Sequence, residues 1–234
     1  MIAALRAVKR RLRDEEAGMS LSELIVVMMV TGIVLAAVGT FFVNIAIVTT
    51  NANAATSRTN VAANVMNEMS KVIRTSSNNA VAASDDPDPA IVSATPSALT
   101  VYSYVDTSPT APAPSKVTFR VDSNGIVFED RVKGTLSGSY YVFTGATTTR
   151  NLGGPILPAS LFTYLDTANA VITPGAAGLT LDQRNTVASI KVVITIANTS
   201  TTGGTAPSAA TGNSPIILQN TIGMPNLLLT GLDN

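Results

Sequence analysis

The sequence predicts an α+β protein: a long N-terminal helix whose second half packs on an antiparallel β-sheet domain. Three observations predict it. Leu24 to Val48 is an apolar run with no charge in it, Val61 to Arg74 keeps a helical period but turns amphipathic, and from Leu99 onward the period becomes alternating. The organisation that follows is a charged leader at 1–18, a helix at 19–79 with its membrane-spanning part at about 24–48, a linker at 80–89, and an exported β-rich domain at 90–234.

The leader carries Arg6, Lys9, Arg10, Arg11 and Arg13, followed by Asp14, Glu15 and Glu16. After Glu23 no charged residue appears until Arg58, and Leu24 to Val48 is apolar apart from Thr31, Gly32, Gly39, Thr40 and Asn44. As a helix those 25 residues measure about 37 Å, enough to cross a hydrocarbon core of about 30 Å. Basic residues beside a span stay on the cytoplasmic side, so the N-terminus is expected inside and everything after Val48 outside. Ala52-Asn53-Ala54 has the composition of a signal-peptidase site, but the apolar run before it exceeds the roughly 7 to 15 residues of a secretory signal.

A charged leader, Gly18, the hydrophobic Met19, Glu23 four positions further on and then an unbroken apolar helix resemble, over residues 13 to 48, the class III signal of type IV pilins and pseudopilins. The resemblance implies a pilin-like fold and cleavage after Gly18 by a prepilin peptidase. It also implies N-methylation of Met19 and a helix that anchors the monomer in the membrane before forming the filament core.

Glu23 has two readings. A carboxylate at the start of an apolar helix costs several kcal/mol in desolvation unless it meets water or a cation; in a filament the resemblance supplies the Met19 ammonium of a neighbouring subunit. Alternatively Ser20-Leu21-Ser22-Glu23 is a capping box, with Ser20 as N-cap and Glu23 reaching back to its backbone, worth about 0.5 to 2 kcal/mol. The two are compatible in time, one in the monomer and the other in the assembly.

Composition narrows the function classes. Fifteen basic residues balance fifteen acidic ones, and from Thr75 onward seven basic face ten acidic side chains, which argues against nucleic-acid binding by the exported domain. There is neither cysteine nor histidine, so no disulfide, no Ser-His-Asp or Cys-His arrangement and none of the usual zinc ligand sets can be assembled. No motif marks a carboxylate pair or a Ser-Lys dyad. The expectation is therefore a non-enzyme without metal, cofactor or small-molecule substrate.

Along the chain, Val61, Val65, Met69 and Val72 recur at helical spacing, flanked by Met66 and Ile73, and the first proline is Pro87. One helix is expected to reach about Thr75, with Gly32 and Gly39 as weak points of about 1 kcal/mol each. Major pilins commonly carry a proline where this chain has only glycines and threonines. The segment from Asn64 to Arg74 instead resembles the helix end of minor pilins and pseudopilins of the PilW and GspJ type.

Asp85-Asp86-Pro87-Asp88-Pro89 reads as a solvated acidic turn in a linker from Ser76 to Pro89, since it lacks the loop spacing of an EF-hand. Strands are expected at Leu99 to Val105, Lys116 to Val121, Ile126 to Val132, Ser139 to Phe143, Leu161 to Leu165 and Val187 to Ile196, with Ile190, Val192, Ile194 and Ile196 on one face. Asn124-Gly125 is expected to turn a hairpin in type I′ geometry, setting Val121 opposite Phe128 and Arg120 opposite Glu129. Loops are expected at Thr107 to Ser115, Gly153 to Pro158 and Asn198 to Pro215, and a short final strand after Ile216 that Pro225 limits. The order of an F-x-Y-x-D segment followed by a long alternating strand again resembles the PilW and GspJ group.

The functional expectation is a structural minor pilin or pseudopilin of a type IV pilus or a related secretion or competence filament. Its partners would be the prepilin peptidase, other pilins, the membrane assembly platform and lipid. The alternative is a single-pass anchored extracellular β-domain that does not polymerise.

Overall fold

The computed structural model describes residues 20–82, 84, 86–106, 112–157, 161–196 and 215–228. Helix α1 runs Leu21–Arg74, and the chain divides into two compact units, Met1–Asn53 and Ala54–Asn234. The expected leader at 1–18 and Met19 lie outside the described residues.

In the first unit, every side chain from Leu21 to Asn53 is exposed. Its most apolar 18-residue window has a mean hydropathy of 2.5, making this a helix long and apolar enough to cross a membrane. Gly32 and Gly39 do not interrupt it. The Thr40 hydroxyl donates to the Ala37 carbonyl at 2.8 Å and that of Thr50 to Ala46 at 2.8 Å, so both polar side chains are satisfied along the helix's own backbone.

The second unit contains, in chain order, strands β1 (Ile91–Ala94), β2 (Ala98–Asp106), β3 (Ala113–Val121), β4 (Val127–Lys133), β5 (Thr135–Ser137), β6 (Tyr140–Val142), β7 (Thr147–Gly153), β8 (Phe162–Leu165) and β9 (Val171–Ile172), helix α2 (Leu181–Thr186), strands β10 (Ser189–Ile196) and β11 (Ile216–Gly223), and helix α3 (Pro225–Leu228). They form a five-stranded sheet in the order β1-β2-β3-β4-β7, a four-stranded sheet β11-β10-β8-β9 and the two-stranded β5-β6. All pairings are antiparallel.

One hydrophobic core joins both larger sheets to the C-terminal half of α1. Ala62, Val65, Met66, Met69, Val72 and Ile73 of the helix are buried with Leu99, Val101, Val117, Phe119 and Val127 of the first sheet and Tyr164, Ile190, Val192, Ile194 and Ile222 of the second. The apolar stripe read from helical spacing is thus the buried one, and Ile190, Val192, Ile194 and Ile196 of β10 all face inward.

The helix stops at Arg74, close to the end expected at about Thr75 and short of the outer bound at residue 79, because β2 takes over its last carbonyls. Ser103 Oγ donates to the Val72 carbonyl at 2.8 Å, Ser76 Oγ donates to Ile73, and the Tyr104 amide donates to the Thr75 carbonyl at 3.0 Å. Within the expected linker, Asn79 and Asp88 exchange backbone hydrogen bonds at 2.9 and 2.8 Å, closing the acidic turn at its base. Asp85 lies outside the described residues.

Several expectations are corrected. The hairpin between β3 and β4 is not type I′: only Gly125 has positive φ, at 76°, and the Gly125 amide donates to the Asp122 carbonyl at 3.0 Å. This is a type I turn closed by a left-handed glycine. Asp122 sets it, its Oδ1 accepting from the amides of Asn124 at 2.9 Å and Ile126 at 2.8 Å.

The longer turn moves the register by one residue, pairing Val121 with Val127, Arg120 with Phe128 and Phe119 with Glu129. A one-residue slip exchanges the faces of a strand. Glu129 therefore points into the core, and Arg120 meets Asp130 across the outer face, its Nε donating to Oδ2 at 2.6 Å. The Arg120 guanidinium also lies 4.7 Å from the centre of the Phe128 ring.

The expected loop at Thr107 to Ser115 ends earlier, since β3 begins at Ala113; residues 107–111 lie outside the described residues. Pro114 is tolerated in this central strand because the pairing with β2 is irregular between Ser103 and Asp106, where no amide is required of it. Gly153, expected in a loop, ends β7, and the loop from Asn198 lies outside the described residues up to Pro215. The last strand stops at Gly223, and Pro225 opens α3 at its first position, where an amide would have no partner within the helix.

The expected strands also omitted β1, β5, β7 and β9, together with α2. That short helix carries a capping box of its own, in which the Gln183 amide donates to Thr180 Oγ1 and the Thr180 amide to Gln183 Oε1.

Candidate functional site

Of the residues singled out in the sequence, Glu23 sits at the start of α1. Gly18 and Met19 lie outside the described residues. Glu23 lies in the first turn of the helix, exposed, where the positive end of the helix dipole favours an acid. The Ser20 amide donates to Glu23 Oε2 at 3.4 Å, the Ser22 amide donates to Ser20 Oγ at 3.2 Å, and the Ser20 and Ser22 hydroxyls are 2.5 Å apart.

This is half of the expected capping box. The acid reaches back to the N-cap amide as the pattern requires, but the Ser20 hydroxyl serves the second amide of the helix rather than the third. Glu23 Oε1 makes no hydrogen bond among the described residues. Chemically the site is an acceptor at the head of a bare apolar helix, able to take a cation.

A second cluster, missed in the sequence, lies in the Ala54–Asn234 unit. The β4–β7 register sets Glu129 opposite Arg150. Glu129 is only 1% exposed, and it accepts from Arg150 Nε at 2.9 Å and from Arg131 Nη2 at 2.7 Å. Both guanidinium groups also reach Glu68 on α1, at 2.8 Å from Arg150 and 3.6 Å from Arg131. Burial pulls the Arg150 guanidinium downward, but Glu129 and Glu68 together hold it above its ordinary value.

Two carboxylates and two guanidinium groups thus neutralise each other where α1 meets the sheet. A buried acid persists only when paired and hydrogen-bonded in this way. On one side of the group is a cleft of about 440 Å³ lined also by Lys71, Lys133, Ala146 and Thr148. On the other is one of about 400 Å³ lined by Asn64, Asn67, Asn151 and Leu152 as well as Glu68 and Arg150.

The signal for this cluster was present in the sequence. Val127, Glu129 and Arg131 alternate on one face, and Glu68 interrupts the polar side of a helix, but only the true turn length puts the acid inward. Comparison with protein-family models and with curated proteins finds no match for this chain.

Proposed function

We propose that the chain is a structural subunit of a type IV pilin-like filament, a minor pilin or pseudopilin of the PilW and GspJ type. Prepilin peptidase cuts after Gly18, the amine of Met19 is methylated, and the helix passes from the membrane into a bundle of neighbouring helices. Its N-terminus is cytoplasmic and its β-rich domain extracytoplasmic.

The observation that carries this reading is the combination of register and exposure. Gly18 and Met19 precede the helix and Glu23 lies in its first turn, in the order of a class III signal, and the helix's side chains from Leu21 to Asn53 are all exposed. Such a surface requires lipid or other helices, and exchanging the first for the second is driven by packing and hydrogen bonding between helices.

The hydrogen bond between the Ser20 amide and Glu23 favours a second reading, a single-pass anchor in which the acid does no more than cap its own helix. The N-terminus and intact mass of the membrane form separate the two. A chain starting at Met19, methylated on its amine, that stays uncut in Gly18→Leu and assembles poorly in Glu23→Ala supports the filament subunit. A chain retaining residues 1–18 and indifferent to both changes is an anchor.

A further inference from the structure

The chain has one Asn-Gly pair, Asn124-Gly125, and it forms the β3–β4 turn on which the direction of Glu129 depends. Asparagine before glycine is chemically labile, because no Cβ on the glycine hinders its nitrogen from attacking the asparagine side chain. Asn124 is exposed, so its carboxamide is open to water.

The nitrogen that would attack is held elsewhere. Gly125 is buried, its amide donates to the Asp122 carbonyl at 3.0 Å, and its carbonyl accepts from the Ile156 amide at 2.8 Å. The Ile156 carbonyl stands so close that a Cβ at Gly125 would collide with it, so the glycine is packed on that side as well. The Asn124 amide donates to Asp122 Oδ1 at 2.9 Å, and Asn124 Nδ2 lies 3.5 Å from Asp122 Oδ2. Asp122 thus engages both the attacking amide and the carboxamide it would attack.

We propose that Asn124 is a self-modification site gated by this turn: it stays an amide while the hairpin is closed and converts when the hairpin opens. On opening, the Gly125 nitrogen loses its proton and bonds to Asn124 Cγ, the Cγ–Nδ2 bond breaks, and ammonia leaves with that proton. Water then opens the resulting succinimide at either carbonyl. Cleavage at Cγ gives aspartate, and cleavage at the main-chain carbonyl gives isoaspartate, whose chain runs through Cβ.

The two products differ in what they do to the fold. Isoaspartate lengthens the backbone by one carbon between the Asn124 and Ile126 amides, both of which Asp122 Oδ1 holds. The register that turns Glu129 inward depends on the length of this turn. Conversion to isoaspartate therefore records that the hairpin has opened and prevents it from closing again.

Trypsin releases Asn124 in the peptide of residues 121–131, which contains no other asparagine and no glutamine. Full-length protein in detergent is held in mildly alkaline buffer, folded or unfolded in urea. The peptide is followed by mass for the change of amide to acid, and isoaspartyl methyltransferase counts the isoaspartate. Folded parent chain is expected to convert at least about 100-fold more slowly than unfolded chain, and its rate should climb with urea as the hairpin opens. Asp122→Ala should convert about 5- to 30-fold faster than folded parent and match it once both are unfolded. Chains carrying isoaspartate should fail to recover their near-UV circular dichroism on dilution from urea, while Asn124→Asp recovers it.

Equal rates in folded and unfolded parent, an Asp122→Ala chain that folds but converts at the parental rate, or isoaspartate chains that regain the parental Tm overturn the proposal. If Asp122→Ala does not fold, the urea series on the parent chain decides alone.

Discussion

Glu129 and Arg150 face each other across β4 and β7, with Arg150 Nε 2.9 Å from a carboxylate oxygen that is almost completely removed from water. Around this pair the helix and the five-stranded sheet are joined by charge as well as by apolar contact, since Arg150 also reaches Glu68 on α1.

Glu129→Leu leaves Arg131 and Arg150 side by side without the buried carboxylate that both bond. Breaking a buried pair costs about 3 kcal/mol here, the low end of its range because Arg150 keeps half its side chain in water. For a domain of this size that lowers Tm by about 10 °C. Thermal unfolding of full-length protein in detergent, followed by near-UV circular dichroism, measures it. Glu68→Gln, nearer the surface, is expected to cost less than half as much.

Gly153 has φ at 124°, and a Cβ there would stand 2.6 Å from Val61 Cγ1 on α1. Gly153→Ala therefore meets both backbone strain and a clash, and is expected to cost about 2 to 3 kcal/mol. Adding Val61→Ala removes the clash but not the strain. In a double-mutant cycle of unfolding free energies, the pair is expected to be more stable than the sum of the single losses.

The β3–β4 turn makes a contrasting prediction. Asp122→Ala removes the acceptor of two amides and should destabilise by about 1 to 2 kcal/mol. Asn124→Ala should change Tm little, because Asn124 does not adopt positive φ. A large loss at Asn124 would point back to a type I′ turn.

Acid sensitivity should reside partly in Asp130. Its hydrogen bond from Arg120, aided by one from Thr149, outweighs burial and holds the carboxyl below the usual range. A depressed folded-state value stabilises the fold above the unfolded value of about 4 and loses that contribution as pH falls through the folded value. Asp130→Asn should lower Tm at neutral pH, and the gap from the parent chain should close in titrations toward pH of about 2.

Much of the fold was legible. The apolar run, the Val61, Val65, Met69 and Val72 stripe and the alternation of β10 are periodic signals that burial alone dictates, and the described helix and strands carry them. What escaped notice was short, polar or dependent on a partner. β7, reading T-T-T-R-N-L-G, has no apolar alternation because it is an exposed edge, and β1 is a four-residue strand that exists only through its pairing with β2.

The sequence by itself determined an α+β chain with one membrane-length helix, an amphipathic continuation and an alternating strand at the heart of its second sheet, because hydrophobic periodicity is local and needs no knowledge of neighbours. Only the tertiary structure decided which way Glu129 points. Asp122 holding two amides lengthens the turn by one residue, and with a side-chain period of two that single residue carries an acid from the surface to the core, where Arg131, Arg150 and Glu68 must meet it.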